Sequence, residues 1–232
     1  MRPKAAFAMA AAATLPLAGA GTATAQEPPE PPAVPTVIPL LPLNGTNATG
    51  TATLTPNPDG SLRMQVNASG LVPNQPHAQH IHGNAEGRDF VCPGPAEDVS
   101  RDRNGDGLLS AVDGSAAYGP IFIALTNEGN TDPSNGLALD DFPVADENGQ
   151  VLYDRTLPAD QVPEGTIAHL ADLTVVEHGI DVDGNGEYNL DAPIGESELA
   201  QVLDMTDVPA EATYPAACGA ALGATADGDA ES

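Results

Sequence analysis

Short runs of this chain alternate apolar and polar residues with a period of two, and they are bounded by glycine, proline and asparagine. Strand signals begin at Ile38. Gly50-Thr51-Ala52-Thr53-Leu54-Thr55 alternates, Pro56-Asn57-Pro58-Asp59-Gly60 carries turn chemistry, and Ser61–Asn67 alternates again with Leu62, Met64 and Val66 on one face. Two alternating runs around a proline-glycine turn predict a β-hairpin. A strand with three histidines near it follows directly, and strand patterns resume at Ile121–Thr126, Gln150–Asp154, Asp172–His178 and Tyr214–Leu222. Residues 83–118 form a long insertion without this period, and 127–150 are turn-rich and acidic. Helical spacing is confined to Glu164–Leu170 and Glu196–Leu203, where Leu199, Val202 and Leu203 would share a face. Many short strands and one or two short helices predict an all-β sandwich or barrel with long inserted loops.

The ends read differently. Arg2 and Lys4, an Ala/Leu-rich run from Ala5 to Ala18, and Ala23-Thr24-Ala25 make residues 1–25 a secretory signal peptide, with cleavage expected before Gln26. Residues 26–37 are a proline-rich linker. The domain then occupies 38–223, and 224–232 is an acidic tail expected to be disordered. No later apolar run approaches the roughly 20 residues of a membrane span. The chain carries 7 cationic side chains against 33 carboxylates, a formal net charge of −26, and cleavage would remove Arg2 and Lys4 as well. Such a surface repels nucleic acid and anionic membranes and attracts divalent cations. The expected setting is extracellular, with extracellular or envelope partners.

Against that background the stretch Gly70–Gly83 stands out. His80 and His82 sit two apart, so on a strand both rings point to one face while Ile81 turns to the core. Paired neutral imidazoles suit copper or zinc, although solvated strand histidines would show the same spacing. Two acidic loops suggest a second metal. In Asp102–Asp113, oxygen donors fall at loop positions 1, 3, 5, 9 and 12 with glycine at position 6, a calcium-loop register. Its expected ligands are the side chains of Asp102, Asn104, Asp106 and Asp113 and the carbonyl of Leu108. Aspartate at the last position replaces the usual bidentate glutamate. Asp181–Asp191 is a poorer copy, with Asp181, Asp183 and Asn185 as a weaker cation site. The two cysteines, Cys92 and Cys218, predict one long-range disulfide in an exported protein.

Three separated pieces together resemble the copper-zinc superoxide dismutase family and the related CHRD-type domains. They are Gly70-Leu71 … His77-Ala78-Gln79-His80-Ile81-His82, then Thr174-Val175-Val176-Glu177-His178, then Ala217-Cys218-Gly219-Ala220-Ala221-Leu222-Gly223. Cys92 follows the histidine pair at a distance similar to the family's partner cysteine. The resemblance runs over roughly residues 38–223 and implies a Greek-key β-sandwich of superoxide-dismutase-like type. It also implies a Cys92–Cys218 disulfide, copper on His80, His82 and His178, and a structural role for His77. Two features depart from the family. Residues 93–118 contain no histidine, so no zinc site of the usual kind is expected. Pro215 stands where the family has the arginine that holds superoxide. Two functions follow: copper-only superoxide dismutation of low activity, or a non-catalytic CHRD-type extracellular binding module with calcium-stabilised loops. Copper sequestration lies between them. His169, the remaining histidine, is expected to bind no metal.

Overall fold

The computed structural model describes residues 34–94 and 101–221. The stretch read as a signal peptide, 1–25, residues 26–33 and the stretch read as an acidic tail, 224–232, lie outside them. Eight strands form: β1 Thr36–Pro42, β2 Thr49–Pro56, β3 Leu62–Ser69, β4 Gln79–His82, β5 Ile121–Ala124, β6 Val151–Leu157, β7 Thr174–His178 and β8 Pro215–Ala220. β1 takes in Thr36 and Val37, the last two residues of the stretch read as linker.

All strand pairs are antiparallel, in the order β5-β4-β7-β8-β1-β2-β3-β6. β1 belongs to both halves of this curled sheet. Its residues Thr36–Leu40 pair with β2, while Leu41 and Pro42 pair with Cys218 and Ala217 of β8. The connections β3–β4, β5–β6 and β6–β7 each pass from one half to the other, which gives a Greek-key β-sandwich.

The period-two pattern explains the core. In β3, Leu62, Met64, Val66 and Ala68 are buried and the residues between them are not. They pack with Ile38, Leu54 and Tyr153 from their own half and with Ile81, Ile123 and Val175 from the other. Full burial of such a side chain stabilises by about 1.5–3 kcal/mol. The Cys92–Cys218 disulfide is present, with Cα atoms 5.7 Å apart, and spans 126 residues. It ties the insertion after β4 to β8.

Helical structure departs from expectation in four places. At Glu164–Leu170 the chain instead forms a 3-10 segment, Ile167–Asp172, kinked at His169, because Gly165 is in the left-handed region (φ +82°) and stops an earlier start. At Glu196–Leu203 the helix is shorter: α2, Glu198–Val202, opens on Ser197, whose Oγ accepts from the Ala200 amide. Leu199 packs with Leu137, Ala200 and Val208, but Val202 and Leu203 are exposed and share no buried face with it. The insertion contains an unexpected helix, α1, Ala111–Tyr118, and a single turn, α3, Ala210–Thr213, precedes β8.

Candidate metal centre

β4 and β7 are neighbours, and β7 is also paired with β8. This order places His178, at the end of β7, beside the outward face of β4 that carries His80 and His82. Ring centroids are 5.0 Å apart for His80–His178, 5.4 Å for His80–His82 and 5.9 Å for His82–His178. All three residues are buried, with 1–3% of their surface exposed.

Each ring is fixed by one nitrogen. His80 Nε2 donates to the Gly136 carbonyl at 2.9 Å, His82 Nδ1 to Gly119 at 2.9 Å and His178 Nδ1 to Thr213 at 2.6 Å. A carbonyl can only accept, so these bonds set the tautomer of each ring. The remaining nitrogens, His80 Nδ1, His82 Nε2 and His178 Nε2, are buried without a partner. One nitrogen from each ring lies within 4.8 Å of the others. With metal–nitrogen bonds of about 2 Å, small ring movements would bring all three onto one ion. The donor set fits a metal, and it leaves three lone pairs unsatisfied without one.

Burial also keeps the rings uncharged. It is the largest cause that holds His80 well below the usual histidine range and lowers His82 to about 3 and His178 to about 4. Phe142 meets His80 edge-on at 5.4 Å and Tyr118 meets His82 at 4.7 Å. The residue opposite His178 in the β7–β8 ladder is Pro215, so the position offers no cation. Arg63 and Arg103 are paired with Asp154 and Asp113, and Arg155 with Thr126 and Gly129.

His77 does not join the three rings. Its Nδ1 is 2.8 Å from the carbonyl of His178 and its Nε2 is 3.0 Å from that of Val72, so it buttresses the backbone at His178. This approach depends on Gly179. Its φ is +112°, and a Cβ there would come within 2.7 Å of His77 Nδ1 and would also strike the Tyr188 hydroxyl. His169 lies apart, on Asp172.

The first acidic loop folds on its own amides. Asp102 accepts from the amides of Gly105 and Gly107, Asn104 from Asp106, and Asp106 from Leu108. Tyr214 also donates to Asp106 at 2.8 Å. Asp113 does not turn toward them. It sits inside α1, where Oδ1 accepts from Arg103 Nε at 2.6 Å and Oδ2 from Ser110 Oγ at 2.9 Å. Ser110 and Asp113 form a helix N-terminus: the Ser110 hydroxyl accepts from the Asp113 amide.

In the second loop Asp181 accepts from the amides of Gly184, Asn185 and Gly186, Asp183 from Asn185, and Asn185 from Glu187. A residue not anticipated joins it. The carboxylate of buried Glu211, in α3, lies with those of Asp181 and Asp183 in one cluster and accepts from the amides of Val182 and Asn189. Its only signal in the sequence is a single acid between two alanines. Glu177 likewise gives little signal in the sequence, as a single acid in an apolar strand. Its carboxyl is buried with neither oxygen partnered, and burial raises its pKa well above the usual carboxylate range. Across the β4–β7 ladder stands Gln79, whose Oε1 also lacks a partner.

No family model matches the chain, and no curated protein matches it. Among solved structures it is similar to the clock protein EA4, with 17% identity and a TM-score of 0.43 over 84% of this chain and 98% of that one. It is also similar to a double mutant of a superoxide-dismutase-like protein from Bacillus subtilis, at 15% identity and a TM-score of 0.38 over 81% and 97%. A third is Candida albicans superoxide dismutase 5 in its Cu(II) form, at 18% identity and a TM-score of 0.34 over 63% and 83%.

Proposed function

We propose that this chain is an exported, superoxide-dismutase-like domain that holds copper on His80, His82 and His178. One observation carries the reading: three buried rings, each with one nitrogen lacking a partner, bring one nitrogen apiece within 4.8 Å of the others, while the second nitrogen of each ring donates to a backbone carbonyl. Orientation of ligating imidazoles by such outer hydrogen bonds is how proteins prepare a metal site. Bound copper supplies a one-electron couple. The rings, for their part, orient the ion and exclude water. Any superoxide dismutation would be of low activity, because no arginine stands at Pro215 and the rings are enclosed. The leader-like residues 1–25 and the Cys92–Cys218 disulfide support export.

The test is metal analysis of the chain purified without chelator or added copper, followed by copper titration. About one copper per chain is expected. A His80→Ala plus His82→Ala variant should lose it while keeping the wild-type circular dichroism. Full copper retention by that folded variant would refute the assignment.

The two aspartate loops support a companion reading, in which calcium stabilises the loops of a CHRD-type extracellular binding module. In the first loop Asp102, Asn104, Asp106 and the Leu108 carbonyl would serve without Asp113. In the second, Glu211 would join Asp181, Asp183 and Asn185.

A further inference from the structure

We propose that the outward face of β1, β2, β3 and β6 is a binding surface for an uncharged polysaccharide. It lies on the half of the sandwich away from the histidines and does not depend on them.

Strand register builds the surface. β2 pairs with β1 and β3, and β3 pairs with β6, so outward side chains line up in rows across four strands. One row is Pro39, Thr51, Asn67 and Leu152. In the next, Thr53 and Gln65 stand beside Asp154. The residues between them on each strand, such as Ala52, Met64 and Val66, point into the core.

Charge selects the class of ligand. The chain carries a formal charge of −26, yet on this face the outward charges are Arg63 and Asp154 alone, and they neutralise each other as an ion pair. The overall field draws cations to the acidic remainder of the surface and turns anions away. The neutral face is left to a neutral partner.

Hydrogen bonding narrows that class. Thr51, Thr53 and Asn67 make no side-chain hydrogen bond to any of the described residues. Gln65 gives one N–H to Asp154 at 3.2 Å and keeps its oxygen as an acceptor. Hydroxyls and amides both donate and accept, as the hydroxyls of a sugar do. Leu152, 76% exposed, supplies the apolar spot on which the C–H face of a sugar ring can lie. A depression of about 430 Å³ lies over Thr51, Thr53, Gln65, Asn67 and Leu152, within the size range of small-ligand sites.

Area argues against a second copy of the chain as the occupant. Four strands about 4.8 Å apart and about seven residues long span roughly 19 by 23 Å, or about 440 Å². A standard protein interface hides about 800 Å² per partner, and two such acidic chains also repel each other.

The experiment is native electrophoresis of the full chain through gels cast with laminarin, hydroxyethyl cellulose or dextran, three neutral polymers, and with alginate, a polyanion. At so high a charge the protein runs fast toward the anode, so retardation is read directly. Retardation is expected in at least one neutral gel and absent in alginate. A Leu152→Ser plus Asn67→Ala variant, altered only at exposed positions, should keep the wild-type melting temperature and bind at least about tenfold more weakly, the equivalent of roughly 1.4 kcal/mol. The proposal is overturned by free migration in all three neutral gels, by equal retardation in alginate, or by undiminished retardation of the folded variant. A dimer in sedimentation velocity that the same variant dissociates would show that a second copy covers the face, and would overturn it too.

Discussion

Buried side chains set how this protein responds to pH, and they pull in opposite directions: His77, His80, His82 and His178 one way and Glu177 the other. In the unfolded chain histidine takes a proton near pH 6.5, whereas the folded rings resist until about 3 for His82 and 4 for His178. As pH falls below 6.5 the unfolded state binds protons that the folded state refuses, so stability drops through the window from about 6.5 to 3. Glu177 has the opposite sign. Its folded pKa is raised by burial, so the folded state keeps a proton that the unfolded state releases above its ordinary value, and stability falls with rising pH. Metal-free protein should therefore be most stable near pH 6.5, with a steep acid limb and a shallower alkaline one, as read by urea unfolding across pH. Glu177→Gln should flatten the alkaline limb and leave the acid limb in place. An unchanged alkaline limb would mean that Glu177 is ionised in the fold. Gly179→Ala is expected to cost at least about 1–3 kcal/mol, because φ of +112° strains any side chain and the new Cβ would push His77 off the backbone of His178.

At the level of elements, alternation translates directly into burial. Met64→Ala in β3 should lose about 2–5 kcal/mol by urea denaturation, since its side chain is fully buried. Leu152→Ser in the neighbouring β6 should stay within about 0.5 kcal/mol, because Leu152 is 76% exposed. A loss of several kcal/mol at Leu152 would contradict the sandwich orientation. The same physics explains what could be read from the chain and what could not. In β3 and β6 the side-chain period shows directly which face is inward, whereas β4, β7 and β8 are buried along both faces and were legible only as short apolar or histidine-bearing runs. The helix α1 was hidden by competition between two signals in the same residues. Ser110 and Asp113 fit positions 9 and 12 of a calcium loop, and they also fit the serine-x-x-acid start of a helix. The helix prevails because Asp113 satisfies the Ser110 hydroxyl and meets Arg103. His80 and His82 were legible as a pair by strand geometry. Neither His178 nor the Glu211 carboxylate could be placed by local pattern, since each reaches its neighbours only through strand order or a distant turn.

For the molecule as a whole, the decisive quantity is a formal charge of −26 on 232 residues. Mutual repulsion among so many carboxylates opposes compaction, and two features counter it. The disulfide closes a span of 126 residues and on loop-closure grounds contributes up to about 5 kcal/mol. Reduction should lower the melting temperature accordingly. The other is screening. Salt shortens the reach of exposed charges to about 8 Å at physiological strength, so the melting temperature should rise with sodium chloride. Calcium at equal ionic strength should raise it further if the aspartate loops bind it; identical melting curves with calcium and with magnesium-free sodium chloride would remove calcium from the account. The same field acts on any anion that approaches. Superoxide would meet a repelling surface, no arginine at position 215, and rings enclosed by Phe142 and Tyr118. A copper-loaded sample should therefore dismutate far below the diffusional ceiling of about 10⁹ M⁻¹s⁻¹. That rate should increase with ionic strength, because screening relieves repulsion of the anion. Pulse radiolysis over a salt series measures both. A rate near the ceiling, or one that falls as salt rises, would mean that a local positive path to the histidines overrides the global charge, and the enclosed-pocket reading would have to give way.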